Sequence, residues 1–266
     1  MKKIVLITGA STGLGLAMAE YLQGAGYTVY GTSRKITQEG KNFKTLVMDV
    51  CSPESVKEAI DKVVTTEGRL DVVINNAGLG LAGAVEHLQE TDMLKVYNTN
   101  VLGVLRVVQT VLPVMRKQKS GKIINISSIG SEIGLPFRGG YSSTKAALDR
   151  LIEALRMETA DQGIQACVVQ PGGVQTDINT NRVMSPLPEG SPYKESFTRC
   201  YEIINESVSK GLEVSVFGPQ IQKIIESEKL KRVYRIGKTN EKLSVIVKRL
   251  LPAFVFEKII RNHYKI

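Results

Sequence analysis

Six apolar runs of strand length alternate with longer stretches of helical period, and this rhythm leaves the chain little choice of architecture. The runs fall at 3–8 (KIVLIT), 27–32, 43–48, 71–75 (DVVIN), 122–127 (KIINIS) and 164–170 (IQACVVQ). The first is apolar on consecutive positions, as expected of a parallel strand covered on both faces. Helices are expected at 13–24, after Ser52 with Pro53 at the first position, in two patterns divided near 98–101 with the second ending about 117, and at 141–161. Alternation of this kind implies an α/β fold of about seven parallel strands, doubly wound, with helices on both faces. Such sheets bind ligands outside the carboxyl ends of their strands, where the winding reverses.

The chain has 266 residues, enough for a self-sufficient core, and we expect one domain over 1–266. From about 177 to 215 the rhythm breaks, with Pro186, Pro188 and Pro192, and a loop with short helices over the site, a substrate lid, is expected. No run of roughly 18 apolar residues marks a membrane-spanning helix. Cys51, Cys167 and Cys200 form no CxxC pair, so neither a disulfide framework nor a zinc site is expected, and Cys51 and Cys167 read as small buried residues. With two histidines only, His87 and His263, a multi-histidine metal centre is not expected either. A reducing, cytoplasmic setting fits these thiols.

Charge is uneven. Residues 231–266 hold ten Lys/Arg against Glu241 and Glu257, so +8 of the formal +9 lies there. This basic amphipathic segment has two competing readings: surface helices packed on the domain or a subunit, or peripheral contact with an anionic membrane. Nucleic acid is not expected, because no recognition motif accompanies the charge.

Three motifs carry chemistry. Thr8-Gly9-Ala10-Ser11-Thr12-Gly13-Leu14-Gly15 follows the first strand and opens a helix, whose free N–H groups and dipole suit a pyrophosphate. The second strand ends in Gly31-Thr32-Ser33-Arg34-Lys35, with no acid for ribose hydroxyls and a guanidinium suited to a 2′-phosphate, which favours NADP(H) over NAD. Tyr141 and Lys145 stand four apart on a helix and share a face, where the ammonium makes the phenol more acidic. Ser128, 13 residues upstream of Tyr141, is aimed at the same point and is preferred over Ser127 and Ser131.

TGASTGLG at 8–15, NNAG at 75–78, Asn100, Ser128, YSSTK at 141–145 and PGGVQT at 171–176 occur in order. Together they resemble the motif set of the short-chain dehydrogenase/reductase superfamily in its single-domain, Rossmann-type form. VYGTSRK and IGLPFRGGYSSTKAAL are most similar to its hydroxysteroid- and retinol-dehydrogenase-like branch. The resemblance implies that Tyr141 exchanges the proton with a ketone or alcohol, that Lys145 bonds the nicotinamide ribose, and that Ser128 holds the substrate oxygen. It implies that Asn100 kinks its helix and holds a relay water. Asp49 and Val50 would flank adenine. Asn76, Ala77 and Gly78 would line the cofactor, beside Gly9, Ser11, Thr12, Gly13, Leu14, Gly15, Ser33 and Arg34. Pro171, Gly172, Val174 and Thr176 would hold the nicotinamide end. Ile129, Ile133, Leu135 and Phe137, with Val183, Met184, Pro186, Leu187, Tyr193 and Phe197 of the lid, are candidates for an apolar substrate pocket. The expected activity is NADPH-dependent reduction of a lipid-like ketone, a 3-keto sphingoid base or a steroid-like ketone, without a metal. The alternatives are an NADP-dependent alcohol dehydrogenase running in the oxidative direction and a catalytically silent nucleotide-sensing or membrane-associated scaffold. The family pattern implies a homodimer or homotetramer paired through the helices at 101–117 and 141–161.

Overall fold

The computed structural model describes residues 2–35, 41–176 and 182–266. Seven strands lie in one all-parallel sheet ordered β3-β2-β1-β4-β6-β7-β9: β1 (Ile4–Thr8), β2 (Thr28–Ser33), β3 (Lys44–Val47), β4 (Val72–Asn75), β6 (Gly121–Ile126), β7 (Ile164–Pro171) and β9 (Val233–Ile236). Winding runs from β1 to β2 and β3 on one side and resumes at β4 on the other, so the switch point lies between β1 and β4. A separate two-stranded pair joins β5 (Leu81–Ala82) to β8 (Val183–Met184).

β1 shows why a continuous apolar run is needed. All five of its residues are buried, and they divide by side-chain alternation. Ile4 and Leu6 enter the core packed by α2 (Pro53–Glu67), α4 (Gly103–Gln118) and α5 (Gly139–Glu158), through Ile60, Val111 and Ile152 among others. Val5 and Ile7 enter the opposite core, packed by α1 (Gly13–Gly24) and α7 (Phe217–Glu226), through Met18, Leu22, Phe217 and Ile221. The result is three layers, helix on sheet on helix. Leu6→Ala in this fully buried position is expected to destabilise the domain by about 2–5 kcal/mol, measured by denaturant unfolding.

Local chemistry sets the ends of the elements. The Ser52 hydroxyl accepts from the Ser55 N–H at 3.1 Å, Pro53 opens α2, and Gly68 closes it with φ +72°. The division expected near 98–101 is a π-helical turn, Asn98–Leu102, between α3 (Glu90–Tyr97) and α4.

Three expectations need correction. The segment after Pro192 is not a loop with short helices, because α6 (Lys194–Ser209) runs for 16 residues; the start of the expected lid, 177–181, lies outside the described residues. Cys51 is only partly buried, because it sits in the β3–α2 connection, just before the Ser52 cap of α2, rather than within the sheet, whereas Cys167 is buried. The basic segment from 231 begins as β9, the seventh strand, before α8 (Thr239–Leu250) and α9 (Ala253–Tyr264). Three of its cations are committed to the domain: Arg232 pairs with Glu153, and Arg235 and Arg249 with Glu132 at 2.9 and 3.2 Å.

Candidate active site

A cavity of about 1360 Å³ opens at the carboxyl ends of the strands. That exceeds the usual ~300–1,000 Å³ of a pocket for one small molecule. Its floor is the turn after β1. Gly9 has φ +67°, and a Cβ there would lie 2.9 Å from Ala77 Cα. At Gly15 a Cβ would lie 2.2 Å from the Gly9 carbonyl oxygen, so only glycine lets α1 start this close to the turn. Thr12 caps α1 without a side-chain hydrogen bond, which leaves N–H groups of the first turn for an anion. The turn is tied to β4: the Thr8 hydroxyl accepts from the N–H groups of Asn76 and Ala77, both at 2.9 Å. Asn76 Nδ2 donates to the carbonyls of Thr8 and Gly9, both at 3.0 Å.

The predicted cofactor residues converge. Gly9, Ser11, Thr12, Gly13, Leu14, Ser33, Arg34, Asp49, Val50, Asn76, Ala77, Gly78, Pro171, Gly172, Val174 and Thr176 all line the cavity. Gly15 stands behind the turn rather than on the wall. Arg34 is exposed just beyond the end of β2. Asp49 is partly engaged, its carboxylate accepting from the Cys51 N–H at 2.9 Å.

Ser128, Tyr141 and Lys145 meet at the other end of the cavity. Tyr141 is 6% exposed on the first turn of α5. Lys145, one turn on, stands with its Nζ 5.9 Å from the Tyr141 ring centre and donates to the Ile126 carbonyl at 2.9 Å, at the end of β6. Burial pushes the Tyr141 phenol up, but Lys145, then Arg138, a hydrogen bond with Ser128, and Arg182 outweigh it and hold the phenol below its ordinary value. Ser127 also lines the cavity, but its hydroxyl is buried with no hydrogen-bond partner among the described residues, and Ser131 donates to Asp149 at 2.5 Å; of the three, Ser128 is the one that acts to lower the Tyr141 pKa.

Asn100 does not line the cavity. It lies behind it in the π-helical turn: its Oδ1 accepts from the Leu79 N–H at 2.8 Å, and its Nδ2 donates to the Leu79 carbonyl at 2.9 Å and to Thr144 Oγ1 at 3.0 Å. A Cβ on Gly78 would sit 3.3 Å from Asn100 Oδ1 and 3.6 Å from Lys145 Nζ, so the amide and the ammonium both close on this glycine.

The apolar end differs from expectation. Ile129, Ile133, Leu135 and Val183 line the cavity, but Met184, Pro186, Leu187, Tyr193 and Phe197 do not, and neither does Phe137. Phe137, Tyr193, Phe197 and Tyr201 instead pack ring on ring, with centres 5.3–6.3 Å apart. Their place is taken by the C-terminal hairpin, through Leu243, Val247, Phe256, Ile259 and Ile260.

Three contributors were missed by sequence reasoning. Arg138 stacks its guanidinium 4.5 Å above the Tyr141 ring, and its i, i+3 spacing to Tyr141 was the available signal. Arg182 is buried beside Tyr201, and no local pattern announced it. Glu241, on the first turn of α8, accepts from the Gly173 N–H and the Lys238 N–H, both at 2.7 Å, and so fastens α8 to the turn after β7.

Comparison with known proteins agrees with this geometry. The family described as short chain dehydrogenase matches residues 3–185, and the chain belongs to it. It is an oxidoreductase of that family. Among its relatives is the 3-ketodihydrosphingosine reductase of Bacteroides thetaiotaomicron, 38% identical over 265 residues, covering 99% of this chain and 98% of the relative. Human 17-beta-hydroxysteroid dehydrogenase type 1 is 35% identical over 201 residues, covering 70% of this chain and 61% of that one. A short-chain dehydrogenase from Streptomyces avermitilis superposes with a TM-score of 0.81 at 29% identity, covering 98% of both chains.

Proposed function

We propose that the protein reduces the ketone of a lipid-like substrate to a secondary alcohol with NADPH. The carrying observation is one continuous cavity. At one end it has a polar turn and Arg34; in the middle, a buried Tyr141 acidified by cations; at the other end, an apolar wall from the C-terminal hairpin. The similarity to a 3-ketodihydrosphingosine reductase favours a 3-keto sphingoid base, and the steroid-dehydrogenase relative keeps a steroid-like ketone as the second choice.

The residues present fit a dinucleotide. The glycine turn admits a close phosphate, and the unused N–H groups of α1 and the Arg34 guanidinium complement its charge. Arg34 and Ser33 would hold the 2′-phosphate, Asp49 and Val50 the adenine, and Lys145, Pro171, Gly172, Val174 and Thr176 the nicotinamide end. When bound, NADPH supplies the hydride. Ser128 holds the carbonyl oxygen and stabilises the charge that develops on it. Tyr141 gives its proton to that oxygen, and the buried Lys145 ammonium steadies the phenolate left behind. Asn100, braced on Leu79 and Thr144, would hold the water of a proton relay to Lys145. The faces of α4 and α5 are proposed to pair subunits into a dimer or tetramer.

The pH dependence follows from the direction of reaction. Reduction needs Tyr141 protonated, so kcat/KM for the ketone is level at low pH and falls as pH rises through the lowered Tyr141 pKa. Oxidation of the alcohol needs the phenolate and rises through the same pKa. Arg138→Gln removes one acidifying cation, so the falling limb of the reductive profile moves to higher pH. A limb unmoved by this change removes Arg138 from the account of Tyr141 acidity. The function itself is tested by NADPH consumption with a panel of long-chain, steroid-like and short ketones.

A further inference from the structure

The exposed apolar side chains of the C-terminal hairpin are hard to explain within the domain. Leu250 and Phe254, flanking the turn between α8 and α9, are 77% and 73% exposed, and Leu243, Ile246 and Ile259 are about half exposed. On α8, Leu243, Ile246 and Leu250 recur at i, i+3 and i+7, which forms one stripe. On α9, Phe254 shares a face with Lys258 and Arg261 at i+4 and i+7. Lys242, Lys258 and Arg261 are exposed and make no ion pair among the described residues. Of the seven Lys/Arg in 238–266, Arg249 pairs with Glu132 at 3.2 Å and Lys248 donates to the Glu132 carbonyl; of the two acids, Glu241 is turned inward onto Gly173 and Lys238, which leaves Glu257 as the segment's acid facing Lys242, Lys258 and Arg261.

The same hairpin walls the cavity. Leu243 and Ile259 both line it and are both about half exposed, so they stand at its rim, one from each helix. The apolar tip and the mouth therefore belong to one structural unit.

We infer that the α8–α9 hairpin docks on an anionic lipid surface, burying Leu250 and Phe254 among the acyl chains while Lys242, Lys258 and Arg261 meet the headgroups, and that the lipid substrate enters between Leu243 and Ile259. An apolar edge flanked by cations is the pattern of an interfacial helix, and each cation near such a surface adds attraction that salt weakens. No helix among the described residues is long and apolar enough to cross a membrane, so the contact is peripheral. A second copy of the chain is a poorer occupant, because a two-fold contact through this face sets the same cations against each other. The proposal rests on the lipid-ketone reading for its purpose, but its test does not.

The chain contains no tryptophan, so Phe254→Trp gives a single reporter at the tip. With vesicles of phosphatidylcholine containing phosphatidylglycerol, the full-length Phe254→Trp protein is expected to shift its emission to the blue and to sediment with the vesicles. Both effects should fade at high salt and with pure phosphatidylcholine. Leu250→Ser with Phe254→Ser, and separately Lys242→Glu with Lys258→Glu and Arg261→Glu, should lower vesicle binding at least tenfold and leave NADPH affinity within about twofold. Emission unchanged by anionic vesicles overturns the proposal, as do variants that bind like the parent. So does an oligomer of the parent that dissociates in the serine variant, since that assigns the face to a second copy. If vesicle binding fails while detergent-dispersed ketone is still reduced, the docking falls and the proposed reaction stands. If vesicles bind and no ketone is reduced, the reaction falls and the docking stands.

Discussion

Tyr141→Phe should lower kcat for ketone reduction by about 10²–10⁴-fold, the range attributed to a positioned proton donor. The affinity for NADPH should change little. The ring keeps its place on α5 under Arg138 and beside Lys145, so the deletion removes one hydroxyl from a formed pocket. Burial keeps bulk water from replacing the lost proton. Stopped-flow turnover with parallel NADPH titration separates the two effects. Near-parental kcat removes Tyr141 from the chemistry, whereas a comparable loss of NADPH affinity makes it a binding residue. Lys145→Met should differ, weakening both, because its ammonium lines the cofactor end and also acidifies the phenol.

Arg34→Asp should reverse the cofactor preference. Hydrogen bonds to charged groups contribute about 1.5–3 kcal/mol, so losing the guanidinium costs roughly 10–150-fold in kcat/KM for NADPH. The new carboxylate also repels a 2′-phosphate and offers an acceptor to ribose hydroxyls, so NADH should gain relative to NADPH. The exposure of Arg34 makes salt part of the test: the preference for NADPH should narrow as ionic strength rises. The ratio of the two kcat/KM values, measured for parent and variant, decides it. An unchanged ratio leaves Arg34 a solvated turn residue.

Much of this protein was legible in its sequence because the relevant physics is local. The β1 run buries every residue, and a glycine-rich turn has to follow it for α1 to approach. The Tyr141–Lys145 spacing is a property of one helix, and the 13-residue interval from Ser128 spans the single connection from β6 to α5. What stayed hidden depends on distant packing. Arg182 reaches the pocket only because β8 pairs with β5, a contact between residues about a hundred apart. The lid aromatics looked like substrate contacts until Phe137 drew Tyr193 and Phe197 into a ring cluster of their own. The cationic tail looked like one segment, but its first part completes the sheet as β9, and Glu241 then locks α8 to the Gly173 turn. Binary pattern and charge describe a face without saying what covers it.

The central claim is that a phenol held acidic by cations reduces a lipid ketone with NADPH, and steady-state NADPH consumption with a 3-keto sphingoid base tests it most directly. The account predicts turnover that needs Tyr141, prefers NADPH to NADH, and far exceeds that with a short-chain ketone. Consumption equal for long and short ketones, or absent for every lipid ketone tried, would contradict it.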